Sequence, residues 1–156
     1  MTTSNVSGFP FQLIDEITPE KDCSGKVIEY FPQKRYEKAE STNLHKYGKG
    51  PFCEFRIGNL QTESGVYLLS IDNKIKYIGE CVNFEERWGP RGYASIQPRN
   101  CFVGGQSTNC KINNLILTEY LRGGKLQLWF YKTQDYKAIE RQLISKYKPD
   151  WNILLK

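Results

Sequence analysis

Residues 65–88 read Gly65-Val66-Tyr67-Leu68-Leu69-Ser70-Ile71-Asp72-Asn73-Lys74-Ile75-Lys76-Tyr77-Ile78-Gly79-Glu80-Cys81-Val82-Asn83-Phe84-Glu85-Glu86-Arg87-Trp88. Val66–Ser70 and Ile75–Ile78 have the composition of two short strands. Asp72-Asn73-Lys74 between them has the chemistry of a hairpin turn. Asn83 is suited to cap a short helix running to about Trp88. Glu85 and Glu86 fall in its first turn, where the helix dipole favours acidic side chains.

Working downstream, residues 89–108 are rich in Gly, Pro, Ser and Asn and read as a long loop, a length usually tied to function or mobility. A helix is predicted from about Lys111 to Arg122, capped by Thr108 or Asn109 and stopped by Gly123-Gly124. Leu126–Tyr131 reads as a strand, and Asp135 to Tyr147 as a helix that Pro149 ends. The order strand, strand, helix, helix, strand, helix predicts an α+β domain. Its expected core is a small, mainly antiparallel three-stranded sheet flanked by helices over residues 65–156.

Upstream, residues 1–64 are expected to form an N-terminal extension packed on that core. Phe52–Ile57 alternates like a strand. Lys46-Tyr47-Gly48-Lys49-Gly50-Pro51 is a loop by its glycines and proline. Lys46 and Lys49 make it a candidate phosphate contact, although such a loop is more often a solvated turn.

Composition narrows the function classes. With 39% hydrophobic and 25% charged residues in 156, the chain has the makeup of a soluble domain. No apolar run approaches the ~20 residues of a membrane span, and the first residues lack the pattern of a secretory signal. The five cysteines form no C-x-x-C pair and His45 is the only histidine, which argues against structural zinc. Scattered cysteines suit reduced thiols in the cytoplasm. Residues 1–64 hold 8 Lys/Arg and 9 Asp/Glu, whereas residues 65–156 hold 14 and 8. A basic surface attracts phosphate backbones by counterion release, and it also serves plain solubility.

One residue does not fit its surroundings. Tyr136, Ile139, Leu143, Ile144 and Tyr147 are spaced as one face of a helix, and Glu140 lies on the same face. A buried carboxylate needs a partner. A core salt bridge and a metal site both satisfy that need. Arg87 poses a similar choice: its stem could cover the core, or its planar fork could clamp a phosphate.

Gly65-Val66-Tyr67, followed after nine residues by Tyr77-Ile78-Gly79, resembles the signature of the GIY-YIG nuclease superfamily. The likeness extends to an arginine on the next helix, matched by Arg87, and to a glutamate on a later helix, matched by Glu140. A closing Pro-x-Trp-Asn is matched by Pro149-Asp150-Trp151-Asn152. These elements follow in order over residues 65–152, about three-fifths of the chain. Many family members also carry a histidine one helical turn after the arginine. Here Arg91 stands at that spacing.

The resemblance implies a metal-dependent endonuclease acting on double-stranded DNA, most like the compact restriction-type or phage-type enzymes. Glu140 would hold Mg²⁺ or Mn²⁺, hard cations that prefer oxygen ligands. Arg87 would bind a phosphate oxygen. Tyr67 is the first choice to activate water and Tyr77 the second. A phenol with a free pKa of about 10 needs nearby cations for that task. Asn152 would hydrogen-bond within the site or brace the chain end. Lys76, Arg91, Arg99, Gln106, Asn109 and Lys111, with Lys46 and Lys49, are candidate DNA contacts. Double-strand cleavage by such compact enzymes generally needs two sites, which implies a homodimer. The competing expectation is a DNA-binding module with a weak or lost active site.

Overall fold

The computed structural model describes residues 2–154. By its contacts the chain divides into two compact units that interleave along the sequence. Unit 1 comprises residues 1–17, 57–87 and 124–156, and unit 2 comprises residues 18–56 and 88–123.

Unit 1 is built on an antiparallel sheet of five strands: β1 (Thr3–Val6), β2 (Phe9–Glu16), β3 (Gly65–Ile71), β4 (Lys74–Cys81) and β5 (Leu126–Lys132), in the order β1-β2-β5-β3-β4. The helices are α1 (Phe84–Trp88), α2 (Ser107–Leu121), α3 (Tyr136–Tyr147) and α4 (Asp150–Leu154). α2 lies within unit 2, and α3 and α4 lie within unit 1.

The β3–β4 hairpin forms as its sequence predicts. Asp72 and Asn73 both take positive φ, 51° and 68°, between paired Ile71 and Lys74. That is the two-residue turn whose twist matches antiparallel strands. β3 is buried along its whole length, so it forms the spine of the sheet.

The expected three-stranded sheet is corrected to five strands. The two additional strands come from residues 3–16, expected as part of the N-terminal extension. Ser7 and Gly8, at φ 53° and 90°, turn β1 back onto β2, and β2 pairs with β5. Phe11 is wholly buried and its ring stands 5.7 Å from that of Tyr131. Pro10 obscures the strand pattern because it cannot donate to a ladder. Pro10 costs no ladder bond: because Leu13 N–H bonds the Thr2 carbonyl, Pro10 and Asn5 face each other as a non-hydrogen-bonded pair, and the register with β5 begins only at Gln12.

Phe52–Ile57, expected as a strand, is extended chain whose link to a neighbour is the isolated bridge Tyr30↔Phe52. α2 starts at Ser107, four residues earlier than expected, after Gln106, whose side chain makes no capping hydrogen bond. α4, absent from the sequence reading, carries Trp151 and Asn152.

The core of unit 1 on one face of the sheet joins Phe11, Val66, Leu68 and Ile78 to Ile139 and Leu143 of α3. Unit 2 has its own cluster of Phe52, Ile96, Cys101, Phe102 and Cys110. Among the described residues no helix is long and apolar enough to cross a membrane.

Candidate active site on the outer edge of β4

β4 is the last strand of the sheet, so alternate residues turn their backbone N–H and C=O outward with no further strand to receive them. Side chains from elsewhere in unit 1 occupy these positions. Asn152 takes both groups of Ile78: its Oδ1 accepts the N–H at 2.9 Å, and its Nδ2 donates to the carbonyl at 2.7 Å. Two residues on, Arg87 Nη1 donates to the Glu80 carbonyl at 3.2 Å. Glu140, from α3, shares a hydrogen bond with the Glu80 backbone. Three sequence-predicted residues thus meet along one strand edge.

Tyr67 reaches the same place from β3. It is opposite Gly79, and a Cβ on Gly79 would lie 2.2 Å from the phenol oxygen. Only a glycine lets that ring cross β4. Arg87 Nη1 donates to the Tyr67 hydroxyl at 3.0 Å. Tyr67 is wholly buried, Tyr77 is 6% exposed, and their rings stand 5.9 Å apart. Gly65 answers a similar demand, since a Cβ there would lie 2.3 Å from the Tyr131 carbonyl oxygen. Strand alternation sets both tyrosines on the face opposite Val66, Leu68 and Ile78. Tyr67 meets the α3 side of the site at the strand edge through Arg87, which also bonds the Glu80 carbonyl, whereas the Tyr77 ring stands 6.4 Å from that of Trp151.

Glu140 is half-buried, and its carboxyl is held above the ordinary carboxylate value. Burial is the main cause and the charge of Glu80 the second. The Glu80 backbone hydrogen bond, Arg87 and Arg141 pull the other way without cancelling it. Glu140 and Glu80 open into one cleft of about 640 Å³, which Asn152, Lys137, Arg141 and Lys148 also line.

No protein-family model, curated protein or solved structure matches this chain.

The remaining predicted residues stand as follows. Lys76 is on β4 and is joined to Asp150 at 3.0 Å, which holds the exposed Asp150 carboxyl below its ordinary value. Lys46, Lys49, Arg91, Arg99, Gln106, Asn109 and Lys111 belong to unit 2. There the ammonium groups of Lys46 and Lys111 stand 5.0 and 4.7 Å from the centroid of the Tyr47 ring. Lys49, Arg91 and Arg99 are exposed. Asn109 is buried and its amide donates to the exposed Gln106 at 3.0 Å. His45 is engaged through both ring nitrogens, one with the Asn100 carbonyl and one with the Tyr47 N–H.

The cleft residues Lys137, Arg141 and Lys148 were not singled out from sequence. Lys137 does carry a signal: it is three before Glu140 and four before Arg141, spacings that put side chains side by side on a helix surface.

Proposed function

We propose that this chain is a divalent-metal-dependent endonuclease that hydrolyses phosphodiester bonds in double-stranded DNA, working as a compact restriction-type enzyme of the GIY-YIG kind. The observation that carries this reading is the convergence of Arg87, Glu140 and Asn152 on Ile78 and Glu80 of the β4 edge, with the Tyr67 hydroxyl bonded to the same arginine nitrogen. A structural salt bridge burying Glu140 against Arg87 is the bland alternative. That alternative shuts Glu140 away from solvent, whereas Glu140 is half-buried and opens into the cleft.

The residues fit a hard cation. Glu140 and Glu80 bring two carboxylates to one cleft and repel each other there, a repulsion that a divalent ion relieves. Among the described residues no group of three or more His, Cys, Asp and Glu is arranged to hold a metal. Two carboxylates with waters completing the shell suit Mg²⁺ or Mn²⁺ better than a closed cage would. When bound, the ion supplies Lewis-acid charge neutralisation at the scissile phosphate.

The chain's own residues supply the rest. Arg87 offers charge-assisted N–H donors to a phosphate oxygen as negative charge gathers there. Its bond to Tyr67 puts a cationic donor on the phenol oxygen, where charge would develop as Tyr67 accepts a proton from the attacking water. Because Tyr67 is buried, that water must enter beside Arg87 when substrate binds. Asn152 fixes the strand edge on which these groups are mounted. The working form would be a cytoplasmic homodimer, with one site for each DNA strand.

The test is cleavage of supercoiled and linear plasmids with Mg²⁺ or with EDTA, by wild type and by Glu140→Gln. Metal-dependent cutting by wild type, reduced about 10³-fold in the variant, is the expected result. Discrete fragments would mark a sequence-specific enzyme. DNA binding without cutting by wild type would replace the nuclease with a DNA-binding module on the same fold.

A further inference from the structure

We propose that the cleft beside α3 is the track for the DNA strand being cut, with Lys137, Arg141 and Lys148 gripping successive backbone phosphates next to Glu80 and Glu140. This rests on the nuclease reading above and adds to it the path of the substrate. All five side chains line the same cavity of about 640 Å³. That is the size of a small-molecule pocket, so a whole duplex cannot enter, whereas a short stretch of one strand can.

The three cations are available for such a task. The ion pairs seen among the described residues join Lys76 to Asp150, Arg122 to Glu119, Lys125 to Glu16 and Lys132 to Glu63. Lys137, Arg141 and Lys148 take part in none of them. Lys76, one of the candidate phosphate contacts from sequence, is paired with Asp150.

Their spacing suits a polymer. Lys137 and Arg141 are one helical turn apart, about 6 Å along the axis. Lys148 ends α3 in the left-handed conformation, φ 45°, with its N–H donated to the Ile144 carbonyl. The row from Lys137 to Lys148 is therefore about 16 Å long. A single small anion would engage one of these groups. Along one strand of a duplex, phosphates recur every ~3.4 Å of axis, so several fall within reach of a row this long. Arginine in the middle adds a planar fork that grips phosphate in two places. The carboxylates beside the row would repel a phosphate unless a cation lies between, which sets the cleavage position where the row meets Glu80 and Glu140.

The experiment uses the full chain carrying Glu140→Gln, so that bound DNA is not cut. Anisotropy of a labelled duplex is followed from about 50 to 200 mM salt, with and without Lys137→Gln, Arg141→Gln and Lys148→Gln together. Each lost phosphate contact lowers the slope of log affinity against log salt by about 0.9. The triple variant should lose roughly two to three units of slope, and Lys76→Gln none. All three positions are exposed, and a melting curve checks that the variant is folded. An unchanged slope in a folded triple variant, or no binding by the parent, overturns the proposal. Cleavage by the otherwise wild-type chain is read separately. A reduced slope without cleavage would sink the nuclease reading and keep the track, and cleavage with an unchanged slope would do the reverse.

Discussion

Unit 1 contains ten Lys/Arg and ten Asp/Glu, whereas unit 2 contains twelve and seven. The whole net charge of +5 therefore belongs to the unit without the candidate catalytic residues. Counted by sequence halves, the surplus falls on residues 65–156, but residues 88–123, with four basic and one acidic side chain, belong to unit 2. Under the nuclease reading proposed above, the difference separates two tasks. A charge surplus draws in a polyanion at long range, while a balanced site sorts charge by position, with carboxylates beside a row of cations.

The units also share a device and use it differently. In unit 1 the Asn152 amide satisfies the N–H and carbonyl of Ile78. In unit 2 the Asn113 amide accepts the Cys53 N–H at 2.9 Å and donates to the carbonyls of Cys53 and Tyr93 at 2.9 and 2.8 Å. Each asparagine stands in for a missing strand. Asn113 is wholly buried, whereas Asn152 is half-exposed in the cleft. Asn113→Ala should therefore strand three buried polar groups and lower unfolding stability by about 3 kcal/mol or more. Asn152→Ala, at a partly solvated edge, should cost about 1 kcal/mol yet reduce cleavage more than its stability loss explains. Denaturant melts and cleavage rates on both variants measure this. Equal stability costs would break the comparison.

The second prediction concerns the charge of unit 2. Lys46→Gln with Lys111→Gln removes two cations that stand over the Tyr47 ring. DNA affinity at physiological salt should fall about tenfold, with a smaller salt slope. Cleavage at saturating DNA should not change. A loss of rate at saturation instead would mean that these lysines serve chemistry as well as attraction.

How much of this was legible in the sequence differed from element to element. The β3–β4 hairpin announced itself because Asp72-Asn73 is turn chemistry and the flanking residues are strand formers. β1 and β2 did not, because Thr3–Val6 is polar and exposed and Pro10 interrupts Phe9–Glu16. Phe52–Ile57 alternates for a different reason. Phe52, Phe55 and Ile57 are buried by packing, and side-chain amides do part of the work of a ladder. Glu140 was legible as a misfit on an apolar face. Asn152 was legible through the closing Pro149–Asn152 motif, whereas Lys148 was not, because it reaches the cleft only through the left-handed end of α3.

The smallest expected effect concerns Glu140 itself, and it sharpens the contrast between a carboxylate proposed to hold a metal and an amide that satisfies buried backbone groups. Its carboxyl is raised from the ordinary 4.5, first by burial and then by Glu80. The folded chain therefore holds that proton more tightly than the unfolded chain. As pH rises above the unfolded value and through the raised folded one, ionising Glu140 costs stability. Below the unfolded value both states are protonated and the cost is absent. Without divalent metal, Glu140→Gln should melt slightly above wild type at about pH 8, and the difference should vanish near pH 4. Solvent screening keeps the gain small, under about 1 kcal/mol, because the group is half-exposed. Added Mg²⁺ should raise the melting temperature of wild type and leave that of the variant unchanged, by linkage to binding. A variant that melts below wild type at every pH would show that Glu140 stabilises the fold, and the case for a carboxylate held at a cost for metal chemistry would fail.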